Sequence, residues 1–483
     1  MTGKKQIKFL GDWVMWNSGI IAEILGGRLY GSELAYFKGC VIDSRAVSEG
    51  VLFTAIRGEK TDGHLFINKA FEAGASITLA ETRSLGEFGL PVIPAGKAII
   101  AVKDSLRALQ DLARAWRETL DPVVIGITGS CGKTTTKDMT AAVLAKSFKV
   151  HKNLENHNNE IGLPLTILNA PAGTEIMVLE MGMRGLGQIR DLCDICSPSV
   201  AVITNIGTTH LELLGSQENI AIAKWELVAA LSEGGIAVLN AEDAFSVNKA
   251  AAADVKKVFY GISGKYASPD VYAVNIHSSG TLTTCFEVVS GEDRAEVRLP
   301  LPGEHNVLDA LAALSVGLAK GVSLAEGAKA LEELELSKMR LEIQQGISGS
   351  TIINDVYNAN PASMKASLRV LAESGGAKTI AVLGEMYELG DSAVPGHRDV
   401  GRTAAELRIS TLITVGKMAE DIAQGASEAG FPVSGLHVCS ECAEAASLAK
   451  SLIKEMGSDV WILIKGSRGM RMERVSGALC QEE

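Results

Sequence analysis

Short apolar runs alternate with amphipathic stretches over the middle of the chain. The pattern SLRALQDLARAWRETL, which starts at residue 105, predicts an amphipathic helix that leads into an apolar strand. From there to about residue 336, strands and helices are expected to alternate. Continuous apolar runs of this kind are typical of a parallel sheet with helices on both faces. The strands predicted for this region are VVIGIT, EIMVLEM, SVAVITNIG and GGIAVLN.

The regions on either side have patterns of their own. The first 104 residues mix a helix near FINKAFEAGA with the short predicted strands VIDSR, VLFTAI, SITLA and AIIAV. From about residue 337 a second α/β series has the strands TIINDVYN, TIAVLGE, TLITVG and VWILIKGS. Glycine or polar residues follow these strands, where a doubly wound sheet places its ligand loops. We predict an α/β protein with a small N-terminal domain (1–104), a central parallel-sheet domain (105–336) and a Rossmann-like C-terminal domain (337–483).

Composition excludes several classes of protein. The 483 residues are too many for one core, and 47% hydrophobic with 21% charged residues is ordinary for a globular protein. A net charge of −11 argues against general nucleic-acid binding, which needs a basic surface. No run approaches the ~18 apolar residues of a membrane span. Polar residues interrupt residues 1–27, so we predict an amphipathic helix there, not a signal peptide, and a cytoplasmic protein.

Eight cysteines include two C-x-x-C pairs, Cys193/Cys196 and Cys439/Cys442. Four thiolates in such pairs suggest a zinc site. These pairs, however, are more than 240 positions apart, and each lies where a helix pattern meets a strand. Buried, reduced cysteines are therefore the favoured interpretation, with a metal or redox role as the alternative.

The most specific local signal is the loop GITGSCGKTTT at residues 126–136. The usual phosphate-loop pattern, G-x-x-x-x-G-K-[ST], would need glycine at position 127, which is Ile127. The context nevertheless fits, because an apolar strand precedes the loop and the helix-compatible KDMTAAVLAKSF follows. Backbone N–H groups of Thr128 to Thr135 would surround phosphate oxygens. Lys133 would add a positive charge and Thr134 a hydroxyl for Mg²⁺. The alternative is a glycine-rich turn with an incidental lysine.

Three further residues lie where metal chemistry would need them. Glu180 closes the strand EIMVLEM, and beside a nucleotide loop such a carboxylate is a natural Mg²⁺ ligand. The alternative is a solvated strand end. His210 in NIGTTHLE follows another strand in the same way, although a lone histidine is more often structural. Lys224 falls on a predicted helix, where a snorkelling surface lysine is the simple alternative.

Together these motifs resemble those of the Mur ligases, the ATP-dependent amide-forming enzymes of peptidoglycan synthesis. TGSCGKTTT is similar to the loop of that family, which starts T-G-x-x-G-K-T and lacks the earlier glycine. The stretch from DSRAVSEG to GHLFI resembles the uridine-nucleotide domain of the family. The resemblance covers essentially the whole chain, in order, through VLEM, NHNNEIGLP, NIGTTHLE, AKWEL, GEHNVLDALAA, MRLE, INDVYNANP, LGEMYELGDSAVPGH and IKGSRGMRME.

For the nucleotide, the resemblance implies ATP with two Mg²⁺ ions. Thr134 and Glu180 would hold one Mg²⁺, and His210 with a carbamate on Lys224 would hold the other. Carbamylation would turn a repelled cation into an anionic ligand. Asn306 would approach the adenine, and Arg340 and Asp355 would reach the phosphates and ribose. The implied ATP-binding set is Thr128, Gly129, Ser130, Cys131, Gly132, Lys133, Thr134, Thr135, Asn306, Arg340 and Asp355, and the implied catalytic set is Lys133, Glu180, His210 and Lys224.

The resemblance also implies the other substrates, UDP-N-acetylmuramoyl-tripeptide and D-alanyl-D-alanine. Ser44 and Arg45 would touch the uridine nucleotide, and Asn158, Asn159 and Glu160 the muramoyl-peptide end. The tripeptide carboxylate would attack the ATP γ-phosphate, and the dipeptide amine would then attack the acyl phosphate. Closure of the third domain is expected to assemble the site and exclude water. A monomer is expected.

One position departs from the family pattern. Cys131 stands where a serine is common, and if its backbone N–H is the working group its side chain should matter little. The alternatives to this function are another amide ligase of the same superfamily, such as a tripeptide-forming member or a folylpolyglutamate synthetase, which lacks the uridine domain. From other classes, a nucleotide-gated binding protein or a P-loop phosphotransferase remain, and neither would release ADP in response to an amine.

Overall fold

The computed structural model describes residues 9–10, 13–14, 16–154, 156–279, 282–335, 337–374, 376 and 378–480. Their strands form a short N-terminal hairpin and three larger sheets that follow one another along the chain. The predicted α/β fold with three domains is confirmed. The bounds proposed for the domains stay a prediction. Every helix within the described ranges is too short or too polar to cross a membrane.

The N-terminal part contains the hairpin and a five-stranded sheet. Its strands are β1 (Phe9–Leu10), β2 (Trp13–Val14), β3 (Arg28–Gly31), β4 (Cys40–Val41), β5 (Leu52–Thr54), β6 (Ile77–Glu81) and β7 (Ala98–Val102). The sheet order is β3-β7-β6-β5-β4, with β3 antiparallel to its neighbour and the other pairs parallel. The helices are α1 (Ser18–Leu25), α2 (Ile67–Glu72), α3 (Thr82–Phe88) and α4 (Ser105–Leu120), with 3₁₀ turns at Ser44–Ala46 and Gly63–Phe66.

Of two predictions for this part, the helix is present and the strand is shorter than predicted. The helix predicted within residues 1–27 is α1, which starts where the Asn17 side chain accepts the N–H of Ile20; residues 1–8, 11–12 and 15 lie outside the described residues. The strand predicted at VIDSR was wrong beyond Val41. The reason is that the Asp43 carboxylate accepts the N–H of Arg45 and thereby caps a 3₁₀ turn.

The central sheet has nine strands. They are β8 (Val123–Thr128), β9 (Val150–Lys152), β10 (Ile176–Glu180), β11 (Val200–Ile203), β12 (Ile236–Asn240), β13 (Lys256–Gly261), β14 (Val271–Ser278), β15 (Thr284–Ser290) and β16 (Asp293–Leu299). The order is β16-β15-β14-β13-β12-β11-β8-β10-β9, parallel from β9 to β14. The helices are α5 (Lys133–Leu144), α6 (Gly162–Leu168), α7 (Gln188–Cys196), α8 (Leu211–Leu214), α9 (Gln217–Ala229), α10 (Ala244–Ala250), α11 (Glu304–Ala319) and α12 (Leu324–Glu332).

The predicted parallel central sheet is confirmed, and its antiparallel edge was not predicted. The strands β14, β15 and β16 pair antiparallel with one another. Many positions in β14 and β16 are partly or fully exposed, so these strands lack the continuous apolar run that marks a strand covered on both faces. Their half-exposed pattern is the one expected at the edge of a sheet.

The C-terminal sheet has six strands. They are β17 (Glu342–Gln345), β18 (Thr351–Asn354), β19 (Thr379–Gly384), β20 (Thr411–Val415), β21 (Leu436–Cys439) and β22 (Trp461–Lys465), in the order β17-β18-β22-β19-β20-β21. Only β17 among them is antiparallel. The helices are α13 (Pro361–Ser374), α14 (Ala393–Glu406), α15 (Glu420–Glu428), α16 (Cys442–Met456) and α17 (Glu473–Leu479), with 3₁₀ turns at Ile347–Gly349, Gly390–Ser392, Val433–Gly435 and Arg468–Met470.

A continuous apolar core and a polar clamp join the N-terminal sheet to the central one. The indole rings of Trp16 and Trp116 meet edge to face with centroids 5.0 Å apart, within a core that both regions share. Nearby, the Asn169 side chain binds both backbone groups of Cys40, accepting its N–H at 3.1 Å and donating to its carbonyl at 2.8 Å. The two regions are therefore fixed to each other by packing and by directional bonds.

Candidate active site

The glycine-rich loop begins two residues later than the usual pattern would place it, at Gly129 and not at position 127. Ile127 is fully buried inside β8, where it pairs with Glu180 and Val202 of the neighbouring strands. The turn starts only at Gly129, where a Cβ atom would lie 1.8 Å from the hydroxyl of Thr204. A glycine at position 127 would serve no turn, so its absence leaves the loop intact.

The end of the loop starts a helix. Gly132 has a φ of +81° and caps the N-terminus of α5, whose first residue is Lys133. The backbone N–H groups at this end point away from the helix, as in anion-binding helix termini. The loop and the helix dipole thus form a cradle that suits an anion.

The segment after β11 holds the loop in place. The N–H of Cys131 donates to the Asn205 side chain at 3.0 Å, and that side chain donates back to the Cys131 carbonyl at 3.1 Å. The Ser130 hydroxyl accepts the N–H of Gly207 at 2.8 Å. The Thr128 hydroxyl donates at 2.9 Å to the carbonyl of Met181, the residue that follows the adjacent strand β10. The hydroxyls of Thr128 and Ser130 are therefore hydrogen-bonded to neighbouring backbone groups and hold the loop in position.

Two lysines of the site are close enough for the charge of Lys133 to act on Lys224. Lys133 Nζ donates to the Gly129 carbonyl at 2.9 Å, and burial lowers the pKa of Lys133 although the Glu180 charge opposes this shift. Lys224 in α9 is 2% exposed, so it is not the surface lysine of the simple alternative. Burial, reinforced by the Lys133 charge, lowers the pKa of Lys224 well below its usual value. Among the described residues no hydrogen bond or ion pair engages Lys224.

Glu180 is a buried carboxylate with oxygen and amide neighbours. It ends β10, is 2% exposed, and is therefore not a solvated strand end. Its two oxygens accept hydrogen bonds from the Thr134 hydroxyl at 2.7 Å and from the Asn158 amide at 2.8 Å. The Asn153 side chain bonds both backbone groups of Glu180. The structure thus brings the hydroxyl of the phosphate loop and a strand-end carboxylate into contact.

His210 meets the C-terminal region of the chain. Its φ is +66° and it precedes α8. Its Nδ1 lies 2.6 Å from the Glu388 carboxylate, which also approaches Arg184 at 3.6 Å. Burial lowers the pKa of His210, and the Glu388 charge acts in the opposite direction. In the described part of the chain, no three His, Cys, Asp or Glu side chains cluster as a metal site.

A cavity of about 260 Å³ opens next to the loop, between the central and C-terminal sheets. It brings together residues that are far apart in sequence. The predicted site residues in its wall are Cys131, Gly132, Thr135, Asn306, Arg340 and Asp355. Other lining residues are Thr204, Asn205, Asn240, His305, Asp309, Ser363, Ser367 and Lys465.

Polar contacts order the far wall of this cavity. The Asp355 carboxylate accepts hydrogen bonds from Lys465 Nζ at 2.6 Å and from the Ser367 hydroxyl at 2.7 Å. The Arg340 guanidinium lies 4.0 Å from the centre of the Tyr357 ring. The Asn306 amide donates to the Pro302 carbonyl at 2.7 Å. The wall therefore offers a carboxylate, a guanidinium and an amide to a ligand beside the phosphate loop.

Comparison with known proteins identifies the family. The Mur ligase family catalytic domain matches residues 36–117, the Mur ligase middle domain matches 127–317, and the Mur ligase glutamate ligase domain matches 339–468. A Bacillus subtilis UDP-N-acetylmuramoyl-tripeptide–D-alanyl-D-alanine ligase is 39% identical over 94% of this chain and 96% of that protein. The chain belongs to the Mur ligase family. The prediction made from the motifs is confirmed.

Other members of the Mur ligase family agree in sequence and structure. The Escherichia coli enzyme of the same name is 34% identical and covers 95% of this chain, with 97% of that protein covered. A crystal structure of MurF from Acinetobacter baumannii superposes with a TM-score of 0.83 at 32% identity, covering 96% of this chain and 98% of that one. MurF ligase from Thermotoga maritima, solved in complex with ADP, gives 0.77 at 29% identity, with 91% and 96% covered.

Residues assigned to the muramoyl-peptide and uridine ends lie in two places. Ser44 and Arg45 are in the 3₁₀ turn after β4, where Arg45 pairs with Asp43 at 2.6 Å and lowers the pKa of Asp43 to about 2. Asn158 contacts Glu180, whereas the Asn159 side chain accepts two N–H groups at the start of α6. Glu160 is exposed. Of these five residues, only Asn158 touches the buried carboxylate.

Sequence reasoning missed several residues of this Mur ligase site. Lys465 closes an apolar strand in the way that Glu180 does, so the same strand-end signal would have found it. Asn360 was missed because no local pattern marks it. Its amide donates to Cys131 Sγ at 3.1 Å and lies 3.4 Å from the Thr209 hydroxyl. The Cys131 side chain therefore joins the loop to the C-terminal part of the chain, a contact that the prediction for Cys131 did not include.

The C-x-x-C pairs match the favoured interpretation in burial except at Cys442, which is half-buried, and the absence of a metal or redox role stays a prediction. All four cysteines are free, and Cys193, Cys196 and Cys439 are buried. Burial raises the pKa of Cys196 to about 12, which keeps the thiol protonated.

Proposed function

We propose that the chain is the Mur ligase that joins D-alanyl-D-alanine to UDP-N-acetylmuramoyl-tripeptide with ATP, in peptidoglycan precursor synthesis. The observation that carries this proposal is the phosphate-loop cavity bounded by the C-terminal sheet, in a chain aligned end to end with ligases of that name. The substrates are carried over from those names. We further propose that the enzyme acts in the cytoplasm as a monomer.

ATP is proposed to lie along the cavity, with its phosphates on the loop from Gly129 to Thr135. The adenine and ribose would then meet Asn306 and Asp355, and Arg340 would approach the phosphates. This assignment is supported by the position of all three residues in the wall of one cavity with Cys131 and Gly132. The complex of the Thermotoga maritima relative with ADP supports nucleotide binding in this fold.

Magnesium fits the donor set around Glu180. Its carboxylate and the Thr134 hydroxyl are hard oxygen donors, which Mg²⁺ prefers, and they already touch at 2.7 Å. Bound Mg²⁺ would neutralise charge on the phosphates. Thr134 and Glu180 would hold one ion and His210 a second.

A carbamate on Lys224 is proposed as the partner of His210. Its support is that Lys224 is buried beside the positive charge of Lys133, where an ammonium is unfavourable. A lowered pKa supplies the neutral amine that reacts with CO₂. The resulting carbamate would be anionic, and its attraction to Lys133 would replace a repulsion.

For the peptide substrate, Ser44 and Arg45 are proposed to contact the uridine nucleotide, and Asn158, Asn159 and Glu160 the muramoyl-peptide end. Arg45 is well exposed, which leaves its guanidinium accessible to a diphosphate. The contact of Asn158 with Glu180 would bring the peptide end next to the ATP γ-phosphate.

The residues of the site would act mainly by position and charge. The tripeptide carboxylate attacks the γ-phosphorus, and the bond to the ADP oxygen breaks. The dipeptide amine then attacks the acyl carbon of the acyl phosphate, so that the amide bond forms while inorganic phosphate and the amine proton leave. Lys133 neutralises charge that spreads over the equatorial oxygens. The contacts His210–Glu388 and Cys131–Asn360 would hold the C-terminal sheet over the reactants and exclude water from the acyl phosphate.

Phosphate release tests the proposal. Purified protein is supplied with ATP, Mg²⁺ and UDP-N-acetylmuramoyl-tripeptide. Dipeptides from a panel and single amino acids are then added one at a time as the amine substrate. We expect release that requires both the tripeptide nucleotide and D-alanyl-D-alanine. Release with a single amino acid instead would identify a different amide ligase. ADP formation that does not depend on any added amine would identify a phosphotransferase or a nucleotide-gated binding protein.

A further inference from the structure

One wall of the nucleotide cavity contains a buried carboxyl group that has no role in the reaction above. Asp309 lies on α11 and is 7% exposed. Its Oδ1 accepts a hydrogen bond from the Thr136 hydroxyl at 3.0 Å. The same carboxyl group presses against the phosphate loop, because a Cβ atom on Gly132 would lie 2.4 Å from Oδ1. Asp309 thus supports the loop at the point where α5 begins.

The surroundings of Asp309 do not suit a negative charge. No described cation forms an ion pair with it, although the Arg340 charge in the same cavity acts on it from a distance. The Asp309 charge also acts on the buried Tyr260 in β13, whose phenol donates to the Thr204 carbonyl at 3.1 Å. Lys133 on the packed helix α5 turns its ammonium away, to the Gly129 carbonyl. An unpaired carboxylate in a buried position is strongly disfavoured relative to the neutral acid.

We propose that Asp309 is a positioning residue that works as a neutral carboxylic acid, holding Gly132 and Thr136 in the nucleotide-binding form of the loop, and that its ionised form weakens nucleotide binding. This inference rests on the proposed function, since it takes a nucleoside polyphosphate as the ligand of the cavity. The neutral acid supports the loop without adding charge. A carboxylate in the same wall would repel the phosphates in a medium of low dielectric constant.

The direction of the pH dependence follows from burial. Burial raises the pKa of Asp309 to about 8, against smaller opposite effects of the Thr136 hydrogen bond and the Arg340 charge. At neutral pH most molecules therefore carry the acid. Bound phosphates favour the protonated form further, so nucleotide binding above pH 8 takes up a proton and becomes weaker as pH rises.

The test is calorimetric titration of the full chain with ADP and Mg²⁺ between pH 6.5 and 9.5. From pH 7 to pH 9 the wild-type affinity should fall about tenfold relative to that of Asp309→Asn, whose amide is neutral and of the same shape. This comparison removes the titration of the nucleotide itself. Equal pH profiles for the two proteins would overturn the inference.

Asp243 provides a matched control. It is a half-buried carboxyl group whose pKa is also raised by burial, but it caps α10 and does not line the cavity. Asp243→Asn keeps a helix-capping side chain and should retain the wild-type pH profile. A flattened profile in this variant would assign the effect to burial of acids in general and not to the cavity, and would also overturn the inference.

A second measurement needs no variant. At pH 8.5, ADP titrations in two buffers of different ionisation enthalpy report the protons exchanged on binding. The wild-type protein should take up roughly 0.8 proton, the fraction that is ionised when the pKa is about 8. Binding without proton uptake would refute the role proposed for Asp309 and would leave the proposed ligase function standing. Absence of ADP binding at pH 7 would instead contradict the proposed ligase function.

Discussion

Replacement of Lys465 by methionine tests the charge pair in the far wall of the cavity. Lys465 is 3% exposed, and its ammonium donates to the Asp355 carboxylate at 2.6 Å and to the Asn358 carbonyl at 3.0 Å. Methionine has a similar length but no charge. The Asp355 carboxylate would stay buried with the Ser367 hydroxyl as its remaining side-chain donor.

The expected loss is large because one member of a buried pair is left without its partner. Such a change typically costs about 3–5 kcal/mol of unfolding free energy. In a domain of this size each kcal/mol lowers the melting temperature by about 2–4 °C, so the transition of the C-terminal region should fall by roughly 6–20 °C. Because Asp355 is proposed to meet ATP, the ATP affinity should fall as well.

Differential scanning calorimetry of the nucleotide-free chain measures this shift. The double variant Lys465→Met with Asp355→Asn replaces the stranded carboxylate by an amide and should regain at least about 2 kcal/mol. Lys146→Met is the control, since it breaks a partly exposed pair with Glu333 at 2.7 Å that contributes about 0–1 kcal/mol. If Lys465→Met behaved like this control, or the double variant were no more stable than the single one, the reasoning would be refuted.

The remaining predictions concern the loop and the metal site. Lys133→Ala should abolish ligase turnover while leaving circular dichroism unchanged, and a retained rate would reject the phosphate-loop assignment. Gly129→Ala should weaken ADP binding at least tenfold in calorimetry, because its Cβ would lie 1.8 Å from a neighbouring hydroxyl; unchanged affinity would show that the loop yields. Glu180→Ala should lose the Mg²⁺ dependence of phosphate release, and an unaltered Mg²⁺ titration contradicts its ligand role. Lys224→Ala should lose activity and regain part of it when small carboxylic acids are added, because they supply the missing anion. Absence of rescue across a series of acids of different size argues against the carbamate.

The parts of the site that could be predicted from sequence are those set by local patterns. An apolar strand that ends in a polar residue predicts a side chain at the ligand edge of a parallel sheet, and Glu180 and its contact with Thr134 follow from that rule. The loop was found for the same reason, since strand, glycines, lysine and helix are contiguous. Its altered spacing became understandable only when Ile127 was placed inside the strand.

The parts that could not be predicted are contacts between distant segments. Glu388 meets His210 from 178 positions away, and Asn360 meets Cys131 from 229 positions away. No periodicity encodes such pairs, because they depend on how two sheets pack. The prediction of the strand at VIDSR failed for a related reason. The Asp43 side chain accepts a backbone N–H and ends the strand, and a pattern of hydrophobic residues does not show such a hydrogen bond.

The clamp between Asn169 and Cys40 places unequal constraints on sequence change. Asn169 recognises only the peptide groups of position 40, so the side chain there is free to vary as long as it fits the core. Position 169 has no such freedom, because aspartate lacks the donor and glutamine is longer by a methylene. Gly39 is bound by the same geometry, since a Cβ would come within 2.5 Å of the Asn169 oxygen. Across relatives that keep this clamp, we expect positions 39 and 169 to be invariant and position 40 to vary. A designer who exchanges the N-terminal region between such proteins can place the junction here and needs to keep only Gly39 and Asn169 unchanged.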